Sequence, residues 1–244
     1  MSERISPRDW LERQPLQPSQ QLLAIFSNTS DAEPLQAWRC ASGTQAPSPI
    51  WAGTAYAEWE PVMPYVGIVE AGSDFLEWVG RCDRQDWGWL AVSSSSLERM
   101  VEHLRSLTQV LLPEGAAVFF RFWDGRHVLP ILRLAQVERA ELLPVVERCL
   151  INGQALEVGG RGVEPVQVFP WWNVPTALLE TLAPQAADTR IANLLKWLGE
   201  ARPDVDQAYS PAVLHCKVKA FVARCGPAGA TPEALVHCLM SQRR

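Results

Sequence analysis

Arg121, Asp124 and Arg126 are the residues of this chain best placed to do chemistry, because they fall where the apolar run Ala116 to Phe122 stops. An aspartate within two or three residues of two arginines can hold a guanidinium bidentate around a turn, which would make the group a structural ion pair. The same guanidiniums beside Trp123 would also form a patch that grips a partner, since Trp and Arg are enriched among residues that dominate binding. Both readings stay open on the residues alone. A third use is an anionic substrate held at this corner, as in a hydrolase or transferase. It would need a concave pocket and a perturbed acid or base.

Other residues with reactive or ligating atoms fare worse. His215, Cys216, Cys225, His237 and Cys238 lack a close Cys-x-x-Cys pair, and adjacent helical residues point about 100° apart. We therefore expect no metal and no cofactor. His103, with Glu102 and Arg105 nearby, reads as part of a solvated helix face. Gly159-Gly160-Arg161-Gly162 leads into an apolar strand-like run, so a hairpin turn explains these glycines better than a phosphate cradle. Glu58, Glu60, Asp83 and Asp86 sit in expected loops and form no acid/base pair. No nucleophile elbow, His-Glu-x-x-His helix or Gly-Lys-Ser/Thr loop is present. The expectation is a protein that is not an enzyme.

Composition narrows the partners. The formal charge is −5 with both signs mixed along the chain, and nucleic acid would demand a basic stripe. No window approaches the roughly 20 apolar residues of a membrane span. The opening MSERISPRDWLERQP has charges and prolines where a signal peptide needs an apolar run. Six scattered cysteines read as reduced thiols. A cytoplasmic location follows, with neither nucleic acid nor membrane as partner. Eleven tryptophans in 244 residues supply large bodies for a core and, where exposed, anchors for an interface.

These residues must be positioned by alternating elements. Short apolar runs predict strands at Leu22–Phe26, Tyr65–Val69, Gly88–Val92 and Ala116–Trp123. Helices are expected at Asp9–Arg13, from Ser30 or Asp31 to before Gly43, and at Ser73–Cys82. A longer one follows Ser95, which has capping-box spacing with Glu98. Its apolar face runs through Leu97, Met100, Val101, Leu104, Leu107, Thr108 and Leu111, and Pro113 and Gly115 stop it. A helix beginning at Pro130 and continuing its stripe to Val137, another at Ala140–Leu150, and a hairpin of Gln154–Val158 with Val163–Phe169 complete this part. From Pro175 only helices are expected: Thr176–Leu182, Asp188–Glu200, Pro211–Cys225 and Pro232–Met240. The fold class is an α/β (α+β) lobe over residues 1–170, with a mixed sheet flanked by helices, and a smaller all-α lobe over 171–244.

Several motifs run in one order: Trp87-Gly88-Trp89-Leu90, His103-Leu104-Arg105, Pro113-Glu114-Gly115 and Phe120-Arg121-Phe122-Trp123-Asp124-Gly125-Arg126. In this the chain resembles the adaptor or chaperone family of bacterial type VI secretion (domain-of-unknown-function family 4123). Gly125 stands where that family has Pro, and His127 is an extra residue. Weaker likenesses occur at Trp51–Thr54, Pro61–Val69 and Cys225–Leu235. The resemblance implies a protein that binds a cognate effector toxin and loads it onto the VgrG spike or a PAAR tip. The implied contacts are Arg121, Trp123, Asp124, Arg126, Trp87, Trp89 and the Trp171-Trp172 pair. An immunity protein that blocks the toxin is the alternative, followed by the enzyme acting at the charged corner.

Overall fold

Gln21–Ser27 (β1) is buried along almost its whole length, as a near-continuous apolar run requires of a central strand covered on both faces. The structure, a computed structural model, describes residues 4–42, 45–134, 138–160 and 167–241, with the side chains of 185–186 and 227–229 excepted. Before β1 comes Pro7–Arg13 (α1), capped by Ser6. After it follow Pro34–Cys40 (α2), Ser48–Pro49 (β2), Pro64–Ile68 (β3), Asp74–Arg81 (α3) and Gly88–Ser93 (β4). Next come Leu97–Ser106 (α4), Gln109–Leu111 (β5), Ala117–Phe119 (β6), Gly125–Arg133 (α5) and Arg139–Leu142 (α6). Arg148–Ile151 (β7) and Gln154–Glu157 (β8) close the sheet-containing part. The rest is helical: Thr176–Ala201 (α7), Pro203–Asp206 (α8), Pro211–Gly229 (α9) and Pro232–Ser241 (α10).

The main sheet has the order β2-β3-β1-β4-β7-β8, and each of its ladders is antiparallel. Leu22, Ala24 and Phe26 of β1 face one way, with Leu90 and Val92 of β4. They pack with Trp10, Trp38, Phe75 and Val79 from α1, α2 and α3. Leu23 and Ile25 alternate to the opposite face. The expected α/β part with flanking helices and the helical C-terminal part are both present. The chain divides into two compact units, Met1–Pro175 and Thr176–Arg244. Within the second, Ile191, Leu194 and Leu198 of α7 and Leu214, Val218 and Phe221 of α9 recur at helical spacing around one core.

Close packing on the β1 side leaves one glycine no room for change. A Cβ on Gly67 of β3 would lie 2.4 Å from Trp38 Cζ2. The Trp38 ring is tied by its indole N–H to the Gln45 carbonyl at 2.8 Å. We expect Gly67→Ala to cost about 2 kcal/mol by overpacking. Urea unfolding would check this, and a loss below about 0.5 kcal/mol would mean that the ring swings aside freely.

Several boundaries differ from expectation, each for a local reason. Ser96, not Ser95, caps α4, accepting from the Arg99 N–H. That helix ends at Ser106 because the Ser106 and Thr108 hydroxyls turn back onto the His103 and Arg105 carbonyls. Residues 109–111 are then a strand, and Pro113-Glu114-Gly115 is a hairpin turn between β5 and β6. The expected strand Ala116–Trp123 is cut to three residues outside the main sheet. The helix expected from Pro130 begins instead at Gly125, and its expected end at Val137 lies outside the described residues. Pro144 excludes the expected Ala140–Leu150 helix, and Arg148–Ile151 is a strand. Asn152 and Gly153, with φ of 52° and 75°, make the two-residue turn of the β7–β8 hairpin. The hairpin expected across Arg161 and Gly162 involves residues outside those described. Thr176–Ala201 runs as one helix through Pro184, which removes a single hydrogen-bond donor.

Candidate functional site

Asp124 caps α5 and anchors a charged corner. Its side chain accepts from the Arg126 backbone N–H at 3.0 Å, as an N-cap aspartate should. The same carboxylate receives Arg126 Nε at 3.1 Å and Nη2 at 2.8 Å in a bidentate fork. Arg121 Nη2 lies 3.2 Å away, and His127 Nε2 lies 3.7 Å away. The Asp124 side chain is 1% exposed, whereas those of Arg121 and Arg126 are 44% and 46% exposed.

A second buried carboxylate stands behind this one. Asp86 accepts from Ser30 Oγ at 3.0 Å, from Arg84 Nε at 3.1 Å and from Arg84 Nη2 at 2.9 Å. Arg126 Nη2 reaches it at 3.5 Å and so links the two aspartates. Arg84 also pairs with the exposed Asp31 at 3.1 Å. Burial pushes the Asp86 carboxyl up, but the Arg84 and Ser30 hydrogen bonds and the Arg126 charge outweigh it and hold it below its ordinary value. The result is a fixed frame of two buried carboxylates with guanidiniums facing outward. The aspartates are thus structural, and the arginines present surface.

An aromatic cluster adjoins the corner. Residues 50–59 form a series of turns held by Arg105, which donates to the Ile50 and Ala52 carbonyls at 2.7 and 3.1 Å. Trp51 is buried at its centre, with its indole N–H on Thr108 Oγ1 at 3.0 Å. Its ring meets Trp123 edge-on at 5.5 Å between centroids and Trp59 at 6.2 Å. Phe119, at the end of β6, lies 5.2 Å from Tyr56 and 5.5 Å from Trp59. Trp59 is 45% exposed and Phe119 43%. Two large aromatics exposed side by side make a contiguous apolar spot rather than isolated surface residues.

The expected contact residues divide sharply. Trp87, Trp89 and Trp123 are buried, which corrects their assignment as partner contacts: they have no surface to offer. Trp87 packs against Trp78 and Phe75. Trp89 donates to the Phe122 carbonyl at 2.8 Å. Trp123 braces Trp51, and its indole N–H has no acceptor among the described residues. Asp124 is likewise sealed from any partner. Trp171 and Trp172 are half-buried; the first donates to Ser106 Oγ at 3.0 Å and the second stacks on Phe120. Of the expected corner contacts only Arg121 and Arg126 are open, beside the exposed His127.

His103, expected on a solvated face, is buried, and its Nε2 contacts the Leu142 carbonyl at 3.0 Å. Trp59, Tyr56 and Phe119 were not singled out from sequence. The alternation Phe119, Arg121 outward and Phe120, Phe122 inward was the available signal for Phe119. Trp59 had none, because it sits in irregular turns with no periodicity and meets Phe119 only through the fold.

Two cavities, of about 390 and 270 Å³, lie elsewhere, one beside Ser94–Ser96 and Glu147, the other beside Cys82, Trp87 and Asn152. Among the described residues no group of three or more His, Cys, Asp or Glu side chains is placed to hold a metal ion. No helix there is long and apolar enough to cross a membrane. Against known families, residues 22–141 match a domain of unknown function (DUF4123), a stretch that holds β1–β4 of the main sheet, the aromatic cluster and the charged corner but not β7 and β8. No curated protein and no solved structure matches the chain.

Proposed function

We propose that this protein is an adaptor-chaperone that binds one cognate type VI secretion effector and helps load it onto the VgrG spike or a PAAR tip. The observation that carries a binding role is the pair Trp59 and Phe119, each with nearly half its surface exposed beside outward-facing arginines. Aromatic anchors rimmed by charge on a pre-formed frame are the usual makings of a protein-binding hot spot. The secretion role rests on the likeness of Trp87 to Arg126 to that adaptor family and on the DUF4123 domain. Against the enzyme reading, Asp124 is buried and already held by Arg121 and Arg126, so it offers no free carboxylate as acid or base.

A tagged pull-down from the native bacterium tests the proposal. The expected result is a toxin recovered together with VgrG or a PAAR protein, and a toxin still active in the complex. An inactivated toxin, recovered without spike or tip, would move the reading to an immunity protein. Recovery of no toxin would overturn both.

A further inference from the structure

We infer that the segment this protein binds is an apolar stretch with carboxylates at one end. Its apolar side chains rest on Trp59 and Phe119, and its carboxylates meet Arg121 and Arg126. The inference rests on the protein-binding reading above and adds the chemistry of the bound segment.

Phe119 and Arg121 are two residues apart and both exposed, while Phe120 and Phe122 between and beyond them are buried. Two residues of extended chain span about 7 Å. A side chain seated on Phe119 therefore has its own neighbours within reach of Arg121. The aromatic side is also tied to the corner through Trp51, whose ring touches both Phe119 and Trp123.

The charge at that end is specific. Arg126 spends Nε and Nη2 on the aspartates, and Arg121 spends Nη2. Among the described residues Nη1 of both arginines, and Nε of Arg121, have no protein acceptor. A guanidinium carries five donors in a rigid fork, so Arg121 keeps an open edge that matches a carboxylate and Arg126 adds a single free nitrogen, Nη1. Asp124 and Asp86 hold these forks in place, which lowers the ordering cost of a second carboxylate.

The sign of the charge changes along the surface. Glu58 and Glu60 flank Trp59 and are exposed. A uniformly anionic polymer would be repelled there, whereas a segment acidic only at its Phe119 end is not. The surface thus selects a direction as well as a composition.

The test is to pan the biotinylated full chain against a phage-displayed library of random peptides about a dozen residues long. Enriched peptides are then titrated by fluorescence anisotropy. The expected peptides carry Leu, Ile, Phe or Trp flanked closely on one side by Asp or Glu. Phe119→Ser and Arg121→Gln should each weaken binding about tenfold or more. Replacing the peptide's Asp or Glu by Asn or Gln should produce the Arg121→Gln loss, with no further loss when the two changes are combined. Trp59→Ser serves as a second variant on the aromatic side, and circular dichroism checks that each variant is folded. Peptides without the acidic flank, full additivity of the two changes, or no binder dependent on Phe119 would overturn the inference. If a toxin co-purifies with wild type and with Phe119→Ser alike, the segment chemistry falls and the adaptor reading stands. If patterned peptides bind but no toxin co-purifies, the adaptor reading falls and the surface assignment stands.

Discussion

Asp124→Ala should destabilise the N-terminal unit by about 4 kcal/mol, one of the largest effects expected of any exposed-corner substitution. The carboxylate is 1% exposed and is shared by the Arg126 fork, the Arg126 backbone N–H and Arg121. Its removal leaves a helix N-terminus uncapped and two guanidiniums without their counter-charge. Both arginines are nearly half exposed and regain some hydration, which keeps the cost below that of a fully buried pair. For a unit of this size the loss corresponds to a fall in Tm of roughly 10 °C. All tryptophans but Trp197 lie before Pro175, so their fluorescence reports this unit during urea unfolding. Asp124→Asn keeps the cap acceptor but loses the charge, and should cost roughly half as much. A loss below about 1 kcal/mol for the alanine variant would mean that the corner is held by other contacts.

His103 should make the same unit acid-sensitive well above the carboxylate range. Burial drives its pKa down from 6.5 to about 4; its bond to the Leu142 carbonyl opposes the shift and the Arg99 charge adds to it. The unfolded chain takes up a proton near pH 6.5, whereas the folded chain refuses it until about pH 4. Between those values the unfolded state binds more protons, so stability falls as the pH is lowered. That drop in pKa is equivalent to about 3 kcal/mol, fully present above pH 6.5 and lost by about pH 4. Asp86 and Asp74 have depressed pKa values, so the stability they contribute is lost as the pH falls from the ordinary aspartate value downward, in a lower window than that of His103. His103→Gln retains an N–H for the Leu142 carbonyl and removes the titration. Its unfolding free energy should decline less steeply between pH 6.5 and 4 than that of wild type, the remaining slope including that of His127, whose pKa burial also lowers; parallel profiles would show that His103 is not the group responsible.

Both groups show how far local sequence reaches. The Arg121, Asp124, Arg126 spacing was enough to expect an ion pair around a turn, because all three residues lie within one helix start. Asp86 could not be joined to them from the sequence. Arg84 is its near neighbour in the chain, but Ser30 and Arg126 lie on distant segments that reach it only in the folded unit. His103 was misjudged for a related reason: the carbonyl that receives it belongs to Leu142, beyond two hairpin strands and a helix.

The sequence alone determined what depends on near neighbours. It placed β1, β3 and β4 from runs of apolar residues, set the Ser73 cap of α3, and made the C-terminal part helical from repeated apolar spacing. The tertiary structure decided which tryptophans are core and which are surface. Trp89 and Trp59 look alike in the chain, yet one is sealed beneath Phe122 and the other stands beside Phe119 in the open. Burial is a property of the elements stacked over a residue, and those elements are distant in sequence. The exposed aromatic and arginine surface proposed for binding could be read only after the sheet, its turns and the charged corner had come together in space.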